Sequence, residues 1–147
     1  MSNQKIFSKI ISGGQTGADQ GALDAALELN HPCGGWWPKG RKSESGPIPD
    51  KYPVQEHSSP DYKVRTRANV KDSDGTLIFS YGEPEGGTKL TVDLAFQYEK
   101  PLYVFDFDSE PLNRDPEFLW KWGWESEIFV LNVAGPRESK IPGLSLW

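Results

Sequence analysis

Apolar residues along this chain fall into short β-branched or aromatic runs that alternate with stretches of helical spacing. Lys5 to Ile11 predicts a buried strand, and from Ala18 the residues Ala22, Leu23, Ala26, Leu27 and Leu29 recur on one helical face until Asn30-His31-Pro32 stops it. Cys33 to Trp37 predicts a short strand. Tyr62 to Asp72 predicts a helix ended by Asp74-Gly75, and Thr76 to Ser80 a strand buried on both faces. A further helix follows Gly86-Gly87, carries Leu90, Leu94, Phe96 and Tyr98, and closes at Lys100-Pro101. Leu102 to Phe107 predicts a strand, Pro116 to Trp124 a helix capped by Asp115, and Ile128 to Val133 the last strand. Such alternation predicts an α/β fold in three layers, a mainly parallel five-stranded sheet covered by helices on both faces.

Composition narrows this picture. A chain of 147 residues is expected to form one domain, spanning 1–147. No signal peptide or membrane-length apolar stretch is present, so a soluble, cytoplasmic protein with no membrane partner is expected. Its single cysteine, Cys33, excludes an internal disulfide and an all-cysteine metal site. His31 and His57 have no metal-ligand spacing to Cys33 or to each other, so any metal would arrive inside a ligand. The net charge of -5 repels a nucleic-acid backbone, and no nucleic-acid partner is expected; a small anionic ligand remains compatible.

Candidate chemistry lies first at Ile10 to Asp19, where a β-branched strand runs into Gly13, Gly14 and Gly17 and then a helix. The first N–H groups of a helix lack intrahelical partners and carry partial positive charge, so phosphates settle there. Glycines let a ligand touch the main chain, and Gln15 and Thr16 add polar contacts. As a dinucleotide fingerprint the turn is imperfect and NAD is not favoured: Ser12, Gly14 and Gly17 occupy the glycine positions, and Trp36, Trp37 and Lys39 stand where an acidic residue belongs about twenty positions on. Nor is it a Walker loop, since no Lys-Ser or Lys-Thr follows Gly17.

A similar strand-glycine-helix turn runs from Tyr81 through Gly86, Gly87 and Thr88. If the strand with Ile78 lies next to the strand with Ile10, as in a doubly wound order, the two turns form one crevice and two helix starts share an anion. Thr88 would cap the second helix or touch the ligand, and Thr91, one turn on, would present a hydroxyl to the same side.

The segments GGQTGADQGALDAA, PKGRKSESGPIPDKYPVQE, YKVRTRANVKDSDGTLIF and EGGTKLT, in that order from about Lys9 to Pro101, resemble the molybdenum carrier protein family. That family falls within a Rossmann-like superfamily of nucleotide-ligand binders that includes the cytokinin-activating phosphoribohydrolases and DNA-processing protein A. The resemblance implies a Rossmann-like fold and binding of molybdenum cofactor, a phosphorylated pterin, or a related nucleotide-like ligand. It implies that Gly13, Gly14, Thr16, Gly17, Gly86, Gly87 and Thr88 hold the ligand's phosphate, and a cofactor-recipient enzyme as a partner. The phosphoribohydrolases carry a glutamate three residues after the threonine of their second motif, and this chain has Thr91 there. A threonine supplies no carboxylate for general acid-base work, so binding without turnover is expected. The hydrolase alternative would need Asp19 or Asp93 as a substitute. Asp19 is equally placed to orient Gln15 or to sit favourably in the first helical turn.

Pro38 to Pro53 is rich in proline, glycine and serine, a long loop expected to overhang the crevice. Arg41 within it suits bidentate oxyanion contact better than Lys39 or Lys42. Of Lys63, Arg65 and Arg67, Arg65 matches the family pattern, with Thr66 and Asn69; it would contact the ligand or form a structural salt bridge. Trp36 and Trp37 would stack on the ligand or flank the sheet. Trp120 and Trp124 lie one helical turn apart with Trp122 turned away; they would pack in the core or form a subunit contact, and a homo-oligomer is expected.

Overall fold

The computed structural model describes residues 7–15, 17–37, 39–40, 42–43, 46–47, 51–53, 55–59, 61–108 and 117–136. The chain opens with β1 (Lys9–Ile11), α1 (Ala18–Glu28), β2 (Cys33–Gly34) and β3 (Trp36–Trp37). Three short pieces follow, β4 (Lys42–Ser43), β5 (Gly46–Pro47) and β6 (Gln55–Glu56), and then α2 (Tyr62–Asp72) and β7 (Gly75–Ser80). The remainder is α3 (Gly86–Gln97), β8 (Leu102–Asp106), α4 (Glu117–Glu125) and β9 (Val130–Ala134). Asp115 and Pro116, expected to start α4, lie outside the described residues.

The expected parallel five-stranded sheet is present, in a Rossmann-like α/β fold, and its order is β2-β1-β9-β7-β8. The strand of Ile78 is therefore not beside the strand of Ile10. β9 separates them, with Leu131 opposite Ile10 on one side and Gly75 on the other. Two side chains fix that placement. Asp74, just before β7, accepts hydrogen bonds from the Phe129 and Val130 N–H groups at 3.1 and 2.8 Å, and Asn132 donates to the Thr76 hydroxyl at 3.3 Å. Counted from β9 through β1, β2, β7 and β8, the order is that of a doubly wound sheet, whose reversal falls between β9 and β7.

β7, paired on both edges and buried along nearly its whole length, is the apolar run its sequence predicts. The main core joins Leu77, Phe105, Leu131 and Val133 from the sheet to Phe107, Ala18 and Ile128. A second cluster, Leu23, Trp37 and Tyr52, anchors the long loop on α1, where the Tyr52 hydroxyl donates to Asp24 at 2.8 Å. Trp37 is thus a packing residue. Cys33 to Trp37 is not one strand. At Gly35 the backbone takes φ 128°, and an added Cβ would fall on the Ser12 carbonyl oxygen. The chain then leaves β1 and pairs β3 in parallel with β6.

On α4 the tryptophans divide opposite to core packing of the Trp120–Trp124 pair. Trp122 packs edge-on against Tyr103, while Trp120 and Trp124 stack on each other at 6.0 Å and remain exposed. No helix of the described residues is long and apolar enough to cross a membrane.

Candidate functional site

A cleft of about 930 Å³ opens beyond the carboxyl ends of β1, β9 and β7, at the strand-order reversal where doubly wound sheets hold ligands. Although β9 intervenes, both glycine turns line this cleft. β9 ends at Ala134 and runs into Gly135 and Pro136, small or compact residues that line the cleft beneath both turns. A Cβ at Gly135 would come within 2.6 Å of the Ala18 Cβ and 2.8 Å of the Phe79 carbonyl oxygen, so glycine lets α1 and β7 close over the strand end.

One wall is the turn after β1. Gly14 and Gly17 hold φ 75° and 80°, angles that favour glycine. Asp19, in the first turn of α1, points back into the loop and accepts from the Gln15 N–H at 3.3 Å and the Arg65 guanidinium at 3.2 Å. Asp19 is thus both a first-turn residue and the orienter of the Gln15 main chain. Burial pushes its carboxyl above the ordinary 3.8, against the Arg65 charge and the Gln15 and Gly13 N–H groups, which pull it down. The start of α1 is largely satisfied from within: the Ala18 N–H donates to Pro136 at 3.3 Å, and the Gln20 N–H to the Gln15 carbonyl at 2.9 Å.

α2 delivers Arg65. Asp61 caps the helix by accepting from the Lys63 N–H at 2.9 Å, and Asn69 binds both the N–H and the carbonyl of Trp36, at 2.8 and 3.0 Å. Between these fixings Arg65 crosses Gly13, where an added Cβ would fall on Nη1, with the Tyr62 ring 5.5 Å from its Cζ. Arg65 is therefore a buried salt-bridge residue that also lines the cleft. Its Nε is buried with no hydrogen-bond acceptor among the described residues.

The opposite wall is the start of α3. Glu85 occupies the N-cap position without a side-chain cap bond, and Gly86 and Gly87 are exposed. Thr88 is not the cap; it lies inside the first turn and lines the cleft. Thr91 is buried and donates back to the Gly87 carbonyl at 3.0 Å. Nothing stands within 4 Å of a Cβ built at Gly87.

Of the site residues expected from sequence, Gly13, Gln15, Asp19, Arg65, Gly86, Gly87, Thr88 and Thr91 line the one cleft. Gly14 and Gly17 shape its first turn from behind, and Thr16 and Arg41 lie outside the described residues. The long loop does not overhang the cleft where it is described. Lys39 is exposed away from it, and Trp36 turns outward to donate to Asp72 at 2.6 Å. That loop is drawn instead toward α1 and α2 by Tyr52 and Asn69. Asp93 pairs with Lys89 at 3.3 Å on the exposed face of α3, outside the cleft. Sequence reasoning missed Asn132, Ala134, Gly135 and Pro136. The signal was there: a strand running into Ala-Gly-Pro is a third carboxyl end at which backbone comes close to a ligand. Among the described residues no cluster of His, Cys, Asp and Glu could hold a metal ion.

A doubly wound sheet whose central strand comes last, with two glycine turns at the reversal, defines a permuted Rossmann-like ligand-binding protein. The chain matches the model of the circularly permutated YpsA SLOG family over residues 10–146, and it belongs to that family. A solved structure, "Crystal structure of Putative molybdenum carrier protein from Syntrophus aciditrophicus SB", is 46% identical to it. The match has a TM-score of 0.94 and covers 99% of this chain and 92% of that one. The family resemblance carried by the four motifs thus extends over almost the whole chain. No curated protein matches.

Proposed function

We propose that this protein binds or carries a phosphorylated pterin, molybdenum cofactor, or a related nucleotide-like ligand, held between the two glycine-rich turns. The observation that carries the reading is the cleft itself, which residues of both turns and Arg65 line together, the Arg65 Nε being buried with no acceptor among the described residues. The likeness to a chain named as a molybdenum carrier protein supports the ligand class. The chain's residues fit such a cargo: the Gly86-Gly87 helix start suits a phosphate, and the cleft volume suits a fused heterocycle. The metal would stay on the ligand's own sulfur atoms. A homo-oligomer, drawing on the exposed Trp120–Trp124 pair, and a cofactor-recipient enzyme belong to the same reading.

A second reading, hydrolysis of a nucleoside monophosphate, is supported by one observation, the Asp19 carboxylate within the cleft beside Arg65. Native mass spectrometry and titration calorimetry separate the two. Molybdenum cofactor, molybdate and nucleoside monophosphates are the probes, with free base measured afterwards. The carrier reading expects stoichiometric cofactor binding and intact nucleotides; release of free base would replace it with the hydrolase.

A further inference from the structure

Of the large apolar side chains that the described residues leave exposed, Tyr81 alone lines the cleft. It stands one residue past the carboxyl end of β7, beside the strand-order reversal. One face of its ring is covered by Phe107, which stacks on it with centroids 4.9 Å apart and 27° between the planes. Phe107 also stacks on Phe79 at 5.8 Å and belongs to the main core, so the tyrosine is fastened to the protein interior. The backbone on either side is pinned as well. The Ser80 hydroxyl donates to the Gly82 carbonyl at 2.8 Å, and the Gly82 N–H, at φ 76°, donates to the Asp106 carboxylate at 2.8 Å. The ring is thus held in place before any ligand arrives, with 38% of the residue exposed. Tyr62, the other tyrosine of the cleft, differs: the Arg65 Cζ lies 5.5 Å from its ring centroid, so a guanidinium of the chain itself already uses that ring.

We propose that Tyr81 is the stacking platform of the cleft, and that the flat nitrogen heterocycle of the ligand lies on the ring face turned away from Phe107. This rests on the reading of the cleft as a ligand site and names the residue that selects the ligand's ring. A phenol is electron-rich over its faces, so an electron-poor fused heterocycle gains from offset stacking on it. Because the ring and its backbone are already ordered, little conformational freedom is lost when the ligand arrives. The same segment adds a condition on charge. Glu83 and Glu85 line the cleft and are exposed. Carboxylates accept hydrogen bonds and repel anions, so a ring edge bearing amino or N–H groups is favoured there over one bearing a carboxylate. The chemical class is therefore an uncharged, amino-substituted pteridine or purine, and a phosphorylated sugar without such a ring forgoes the contact.

The test is a chemical-shift titration of the full chain, carrying ¹⁵N amides and ¹³C-labelled tyrosine, with Tyr81→Phe assigning the Tyr81 ring signals. Pterin, pterin-6-carboxylate, guanosine 5′-monophosphate and ribose 5-phosphate are the probes. Pterin and guanosine monophosphate are expected to move the Tyr81 ring protons upfield, the ring-current mark of a stacked heterocycle, and ribose 5-phosphate to leave them in place. Tyr81→Leu keeps an apolar cover over Phe107 but offers no π face. It should weaken both heterocyclic probes about tenfold and leave ribose 5-phosphate unaffected, while Tyr81→Phe retains the native affinities. A tighter pterin points to a pteridine cargo and a tighter guanosine monophosphate to a purine one; either result supports the platform. Heterocycle binding that shifts cleft amides but leaves the Tyr81 ring unmoved, or undiminished affinity in folded Tyr81→Leu, overturns the platform and leaves the ligand-site reading standing. Pterin-6-carboxylate binding as tightly as pterin overturns the condition on charge. If neither heterocycle moves any amide of the cleft, the ligand-site reading itself falls, and the platform with it.

Discussion

Asp19 and Arg65, 46 positions apart in sequence, meet at 3.2 Å directly over Gly13, the residue whose missing side chain leaves room for the guanidinium. The pair ties the first turn of α1 to the middle of α2, so the cleft wall is held by a charge contact as well as by packing. Removing one partner leaves the other buried and uncompensated. Asp19→Ala is expected to cost about 3–5 kcal/mol in urea unfolding, with Asp19→Asn costing clearly less because it retains an acceptor. Equal losses in the two variants would show that the retained acceptor counts for nothing and that the carboxylate charge, which neither variant keeps, carries the whole effect.

Gly13→Ala tests the same contact from below. The new methyl must push Arg65 off Asp19. A destabilisation of about 1–3 kcal/mol is expected from overpacking. Arg65→Ala should largely relieve it in a double-mutant cycle, and additive effects would sink the steric explanation.

Asn69 binds both the N–H and the carbonyl of Trp36 where β3 leaves the sheet. Asn69→Ala strands both groups, and about 1–3 kcal/mol should be lost. Hydrogen exchange should quicken at Trp36 before it does in β7; uniform acceleration would argue for a global effect.

Cys33 supplies a pH signature. Burial pushes its thiol above the ordinary 9.0, partly offset by the charge of Lys9. A group whose folded pKa is raised keeps its proton longer in the folded state, so its contribution to stability is complete below 9.0 and is lost as pH rises through the raised value. Unfolding free energy should fall above pH 9 more steeply in the native protein than in Cys33→Ala. Thiol alkylation at pH 8 should be slower in the folded than in the urea-unfolded chain. Matching alkylation rates would refute the burial argument.

What the sequence made legible was local. Leu23 and Ala26 mark the buried face of α1, the Asp61 cap marks the start of α2, and the apolar run of β7 reads as a strand covered on both sides. Both glycine turns were visible because a strand, small residues and a helix are consecutive. Sheet order was not, because β7 and β9 carry the same kind of apolar run, and what separates β1 from β7 is a set of nonlocal bonds from Asp74 and Asn132. Asp19 shows the same limit at the site. Its place in the first helical turn and its reach to Gln15 follow from spacing, whereas its pairing with Arg65 depends on how α2 carries that side chain across Gly13. The break at Gly35 hides for a different reason: the angle is demanded by a carbonyl of β1 and by nothing in the neighbouring residues.

The central position of β9 also has a consequence for biosynthesis. Its neighbours β1 and β7 both precede it in the chain, so until β9 has been made the facing edges of β1 and β7 have no partner strand. Such edges are sticky, and joining them requires contacts across more than a hundred positions, as Ile10 with Leu131 shows. The cleft acquires its floor at the same moment. In the proposed reading, a ligand would engage only chains that have completed this closure, and its loading would report on folding as much as on supply.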